Sequence, residues 1–424
     1  MKRIVLFLLT VAFATWAQLD DDNENSFKLT GYTAYQGGHV ISGTYKYPDD
    51  ISMYWFQKTF ANIGFTKKIN DRVSVAAAIE ASYRPSFQSG NTFPESQIFI
   101  PHIYIDQAKG DITFLNTGST NLRLTTGYFH FSYNHDVSNL GNNLFRSYCY
   151  PTAIVQSEFD FPVTRLLGFD FHASLFNGML YNDLLFTSSI HYYPTGDFSL
   201  TDIIGTKPFR GINFAAGIQF DRLLAVNDSV TTPKDVASRV NPETGDTTFY
   251  TFAGTKVMAV LNLDLKKLIF GDDYPSIFGE EDARLFAELN ILGLKNYYYW
   301  YDTLSQRIPI AFGVKIPAFK ILDALALEFE YFGSRYPNSY DRPLNANTPY
   351  PEVQEISYDP KEWSHDDWKW SLYARKTLFG VTLIGQVARD HLQLWSYRPV
   401  DQIFRDNLIQ PKDWYYQFKI QYNF

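Results

Sequence analysis

The sequence predicts an all-β chain: a single antiparallel transmembrane barrel of about sixteen strands, with fourteen to eighteen compatible with the pattern. Three observations predict it. Apolar residues alternate with polar or small ones in stretches of ten or more, longer than the five or six usual in soluble sheets. Tight turns (68–71, 177–178, 317–320, 379–380) alternate with long polar stretches (85–97, 223–248, 335–365, 392–412), as in barrels with short turns on the periplasmic side and long extracellular loops. Aromatic residues gather at strand ends, as at 297–301 and at Trp414-Tyr415-Tyr416, where a membrane barrel carries its interfacial girdles.

Composition narrows the class. Of 424 residues, 17% are aromatic and 19% charged. Average proteins carry about 25% charged residues, so the chain is too aromatic and too charge-poor for disorder. A mean hydropathy of -0.22 is too polar for a helical membrane bundle. The net charge of -8 argues against nucleic acid as a partner. Cys149 is the one cysteine, so no internal disulfide forms.

In chain order, Met1-Lys2-Arg3 begins with basic charge, Ile4 to Ala14 is apolar apart from Thr10, and Thr15-Trp16-Ala17 offers small residues for cleavage. This is the layout of a signal peptide over residues 1–17; the apolar run is short of the ~20 residues a spanning helix needs. An acidic leader follows at 18–25, and the barrel is expected over 26–424. Its strands are predicted at 26–37, 54–68, 72–84, 98–108, 121–133, 164–176, 179–192, 197–206, 209–222, 250–267, 283–295, 307–317, 322–334, 366–377, 381–391 and 413–424. In 250–267, for example, Val257, Ala259, Leu261 and Leu263 alternate with Met258, Val260, Asn262 and Asp264. An even count brings both termini to one side.

The last strand is the most specific feature. Tyr416, Phe418, Ile420, Tyr422 and Phe424 share one face, and Gln417, Lys419, Gln421 and Asn423 the other. This resembles the terminal signal strand of bacterial outer-membrane β-barrel proteins of porin-like type. The resemblance implies a location in the cell outer membrane of a Gram-negative type bacterium and recognition of those five residues by the barrel-assembly machinery. It also implies contact with outer-membrane lipid and lipopolysaccharide. A second likeness covers Gly168 to Gly178 and Leu180 to Asp183, similar to a hairpin of phosphate-selective-type porins. That family uses a lysine-rich constriction, and no such lysine cluster is visible here.

Charges facing lipid at mid-bilayer are costly, so parity places mid-strand charges in the lumen. The basic set is Lys58, Arg84, Lys256, Arg284, Lys315, Lys369, Arg375 and Lys419; the acidic set is Glu80, Asp106, Asp170, Asp221, Asp264, Glu288, Glu328, Glu330 and Asp390. The two nearly balance, so strong ion selection is not expected. Sixteen strands enclose an open lumen unless something folds in. Residues 134–163, which mix Asn and Gly with Leu144, Phe145 and Tyr148, are expected to do so, with His135, Asp136 and Arg146 lining the pore.

Acid–histidine pairs at His135-Asp136 and His365-Asp366-Asp367 could orient an imidazole, but both fall at strand–loop junctions where polar residues are ordinary. No nucleotide, zinc or haem motif is present, and neither cofactor nor enzyme activity is expected. The functional expectation is a channel for passive diffusion of small hydrophilic solutes. The alternative is a structural or adhesive barrel presenting its loops to a surface, a polysaccharide or partner proteins. Self-association into a homo-oligomer is left open.

Overall fold

The computed structural model describes residues 27–43, 55–83, 86–87, 102–145, 163–188, 196–224, 237–240, 243–250, 253–295, 304–332, 368–392, 408 and 410–424. Sixteen strands form the wall: β1 (Phe27–Ser42), β2 (Trp55–Asn70), β3 (Val73–Tyr83), β4 (His102–Asn116), β5 (Thr120–Phe131), β6 (Thr164–Leu175), β7 (Leu180–Ser188), β8 (Phe198–Thr206), β9 (Ile212–Leu224), β10 (Gly254–Asp264), β11 (Arg284–Lys295), β12 (Ile310–Lys315), β13 (Ala324–Tyr331), β14 (Trp368–Leu378), β15 (Val381–Arg389) and β16 (Trp414–Asn423). Each pairs antiparallel with its chain neighbours, and β1 pairs with β16 from Tyr32↔Asn423 to Ser42↔Trp414, which closes the barrel. The two-residue stretch Ser86–Phe87 continues the line of β3 beside Trp55 and Phe56, and a separate hairpin joins Ala237–Val240 to Thr247–Tyr250.

Closure removes the edges that an open sheet would leave with unpaired backbone groups. At the seam, Gly31 and Phe424 exchange two backbone hydrogen bonds of 2.9 Å. A Cβ on Gly31 would stand 2.8 Å from the Phe424 ring and 2.4 Å from the Asn62 carbonyl oxygen, so the terminal phenylalanine packs on a residue that has to be glycine.

The two faces invert the soluble pattern. Ile79, Ile105, Phe171, Phe214, Leu289 and Leu383 are exposed, whereas Lys58, Glu80, Asp106, Lys256, Glu288, Lys315, Glu328, Lys369 and Lys419 are buried. Adjacent Ile105 at 57% exposure and Asp106 at 5% fix which side is which: apolar side chains face out and ionisable ones in, as a lipid-embedded barrel requires.

The turns at the end that holds both termini are short. Asn70 caps one, its Oδ1 accepting from the amides of Arg72 and Val73 at 2.9 Å. Phe379 and Gly380 both take left-handed φ, 53° and 79°, as a two-residue hairpin turn demands. The connection 265–283 is longer and opens with a one-turn helix, α1 (Leu265–Phe270), capped by Asp264 accepting from the Lys267 amide.

Two expectations are corrected. The fourth strand, described from His102, continues to Asn116 rather than ending at 108; Lys109, Gly110 and Asp111 stay in register opposite Gly127, Thr126 and Thr125, and Lys109 and Asp111, which share a face, pair at 3.1 Å. The first strand continues to Ser42 because Gly37 and Gly38 sit against the Phe418 and Phe56 rings. In the connection 271–282, Asp272, Asp273 and Glu280 are exposed, whereas buried Asp282 accepts from the amides of Gly279, Ala318 and Phe319 at 2.8 to 3.0 Å. Beside it, Lys266 donates to the carbonyls of Glu280 (2.7 Å) and Asp282 (3.0 Å).

Candidate functional site

The site is where residues 132–145, after leaving β5, meet the inner wall. Gly141 and Asn142 take φ of 131° and 56° and double the segment back. A Cβ on Gly141 would stand 2.6 Å from Val137 and 3.2 Å from Glu288 Oε2, so only glycine lets the backbone come this close to the wall. Tyr133, Val137, Leu140 and Leu144 are buried. Tyr133 and Leu144 pack with Phe129 and with inward-facing Leu185, Ile203, Ala215, Met258 and Val260 of β7 to β10. An apolar patch on the inner wall thus has its cover.

Two buried glutamates fix the rest. Glu288 on β11 accepts from the amides of Asn142 (2.8 Å) and Asn143 (2.7 Å), the Tyr133 hydroxyl (2.6 Å), and the amide groups of Asn134 (3.1 Å) and Asn290 (2.7 Å). Glu328 on β13 accepts from three consecutive amides, Ser138 (2.6 Å), Asn139 (2.7 Å) and Leu140 (2.8 Å). A carboxylate has about four acceptor positions, and hydrogen bonds to a charged acceptor contribute about 1.5–3 kcal/mol each. Asp136 adds an ion pair to Arg284 at 2.9 Å and lies 3.8 Å from Lys315, which also pairs with Glu281.

The sequence-selected residues fall into groups. Glu80, Lys315, Glu328, Glu330 and Lys369 are buried on inward positions, and Arg375 is half-buried beside Ala324. Glu330 binds His391 at 2.6 Å, and Lys369 donates to the Leu408 carbonyl at 2.7 Å. His135 is exposed, within electrostatic reach of Asp183 on β7 and Lys315 on β12. Asp136 engages Arg284, which accounts for the carboxylate of the first acid–histidine pair. Arg84, Arg146 and 365–367 lie outside the described residues. Of the terminal signal residues, Tyr416, Phe418, Ile420 and Tyr422 hold the outward register of β16.

Across the lumen the wall is self-contained. Glu80 accepts from Lys58 (3.2 Å), Tyr32 (2.8 Å) and Tyr104 (2.5 Å). Asp106 accepts from Asn62 (2.9 Å) and Arg165 (2.8 Å) and lies 3.1 Å from His130 Nε2. Sequence reading missed Tyr32, Asn62, Tyr104, His130 and Arg165, because these partners meet only once strand register is set. Parity alone marks Tyr32, Asn62 and Tyr104 as inward.

The fold and its two faces define a closed sixteen-stranded antiparallel barrel, apolar outside and ionisable inside, with a chain segment folded against the inner wall. No family model matches the sequence, and none of the curated proteins does. Solved structures that align with it include engineered forms of the Rhodopseudomonas blastica porin. One shares 9% identity over 94% of this chain and 100% of that chain, with a TM-score of 0.41. A triple mutant of the same porin shares 8% identity with the same coverage and a TM-score of 0.40. The register within this chain, rather than that likeness, defines the fold.

Proposed function

We propose that the protein is an outer-membrane channel for passive diffusion of small hydrophilic solutes, exported by residues 1–17 and narrowed by the segment around 132–145. The observation that carries this reading is the binding of that segment by Glu288 and Glu328 inside the barrel. Polar groups of the segment and the exposed His135 beside these glutamates support a hydrophilic constriction. Pairing among the inward charges, as at Lys58–Glu80, Arg165–Asp106 and Arg284–Asp136, supports weak ion selectivity: paired charges present little net field to a passing ion. The assembly role of the terminal strand, with Phe424 on Gly31, belongs to the same reading.

The test is reconstitution in a planar bilayer. Protein shown to be folded by its mobility shift on boiling should give stepwise currents, with a reversal potential near zero in a salt gradient. Absence of steps from folded protein would favour the structural or adhesive alternative.

A further inference from the structure

Among the described residues of β6 to β10, the outward face of the barrel breaks its own rule at Asp202 and Asn182. On β8, Ser199, Thr201 and Ile203 are buried inward positions and Ile204 is exposed outward; Asp202 shares the face of Ile204. On β7, Leu185 and Thr187 are inward and Leu184 is exposed, so Asn182 is outward too. Asp202 is flanked by Leu184 and Ile218, and Leu184 in turn by Phe171. A carboxylate therefore stands in an apolar row on the lipid side. Away from strand ends, the other outward positions of β6 to β10 among the described residues are apolar or small, Asn182 apart.

The hydrogen bonding here is one-sided. The Asn182 amide nitrogen donates to Asp202 Oδ1 at 2.6 Å and to the Ile203 carbonyl at 3.1 Å. Its two N–H groups are thereby used. What remains facing outward is acceptor only: the second oxygen of Asp202 and the carbonyl oxygen of Asn182. Hydrocarbon supplies no donor, and an identical face on a second copy would oppose acceptor to acceptor. The complement is a group that is cationic and carries N–H.

Depth and relief narrow the choice. Asn182 is two residues from the start of β7 and Asp202 four from the end of β8, both counted from the short-turn end. At about 3.3 Å per residue and a tilt near 40°, they lie roughly 5 and 10 Å above it. That is within reach of a headgroup drawn down from the interface. In the row that contains Asn182, the successive partners across five strands are Ala173, Asn182, Ile204, Ala216 and Ala259, so alanines flank Asn182 and Ile204 on both sides. It lies between bulkier rows, Phe171–Leu184–Asp202–Ile218 on one side and Leu175–Leu180–Thr206–Phe214 on the other.

We propose that the outward face of β7 to β9 is a binding site for a phospholipid with a primary ammonium headgroup, its N–H groups donating to Asp202 and Asn182 while its glycerol region lies over the small residues Ala173 and Ala216 that flank them. The proposal rests on the membrane-barrel reading above.

The test uses defined lipids. Protein is extracted from vesicles containing equal phosphatidylethanolamine and phosphatidylcholine, and the lipids that stay bound are counted by native mass spectrometry. The two headgroups carry the same charge, but the second has no N–H. Wild type should retain the ethanolamine lipid at least five-fold over the choline lipid. Asp202→Leu should abolish the preference, and Leu383→Ala on the far wall should keep it. Equal retention by wild type, or an undiminished preference in Asp202→Leu, would overturn the site. So would wild type released as an oligomer or complex that retains no lipid, since another protein would then cover this face. The boiling shift, run on every sample, reports failure of the barrel reading separately.

Discussion

The two sides of the lumen bury their carboxylates in different ways. On β2 to β6, Glu80 and Asp106 are satisfied by side chains of neighbouring strands: Lys58, Tyr32 and Tyr104 for one, Asn62 and Arg165 for the other. That wall is complete by itself. On β11 and β13, Glu288 and Glu328 take five backbone amides from the segment after β5. Without the segment these glutamates would lose their principal partners, and leaving one member of a buried charged network alone costs about 3–5 kcal/mol. The inward fold of residues 132–145 is therefore specified by the wall opposite β2 to β6 and is not a chance resting place for a loop.

The largest expected effect comes from removing that specification. Glu288→Ala combined with Glu328→Ala should leave a barrel that still shifts on boiling but loses its folded band at lower temperature, by the equivalent of about 3–5 kcal/mol. Its single-channel conductance should rise several-fold. A rise in conductance without any stability loss would show that the segment is tethered elsewhere. Next in size is Lys58→Ala on the self-contained wall. It takes the cation from buried Glu80 and should cost about 3 kcal/mol while conductance stays within a few tenths of wild type. A large conductance change there would erase the distinction between the two sides.

Glu328→Gln sharpens the comparison further. The amide keeps the shape but has one accepting oxygen for three amide donors and turns an NH₂ toward them, so a loss of about 2 kcal/mol is expected, with noisier open-channel current. The smallest effect belongs to a turn outside both walls. Slight burial raises the Asp323 carboxyl, but its bonds to the Thr377 amide (2.6 Å) and Lys376 (3.2 Å) outweigh this and hold it below the ordinary value. A depressed carboxylate contributes stability that is full above its unfolded pKa and lost as pH falls through the folded one. Asp323→Asn should therefore melt slightly lower at pH 7, with the difference closing below about pH 4. A difference that persists in acid would assign it to packing.

Parity made the architecture legible. Because side chains alternate with period two, Ile105 and Asp106 or Leu261 and Asn262 declare their faces without any knowledge of neighbours. Sixteen spans follow from that alternation, including Phe198–Thr206, although Asp202 interrupts its outward face. Register is not written in one strand, so the meeting of Arg165 with Asp106, or of Tyr104 with Glu80, was not legible. The anchoring of the inner segment was half legible. Leu140 and Leu144 signal burial and Gly141-Asn142 a reversal, but the donors to Glu328 are backbone amides, which carry no residue signature. Lys109-Gly110-Asp111 hid the continuation of the fourth strand because a same-face ion pair and a turn share composition.

The central claim is that residues 132–145 line the pore. In a Cys149→Ser background, His135→Cys should react with a bulky charged thiol reagent added to an open channel, and each reaction should lower the single-channel current in a discrete step. His135 is exposed within electrostatic reach of both Asp183 on β7 and Lys315 on β12, so the added group would stand inside the barrel beside the segment. Unchanged current and reversal potential, with complete labelling verified by mass, would put this segment outside the conducting path and contradict the account.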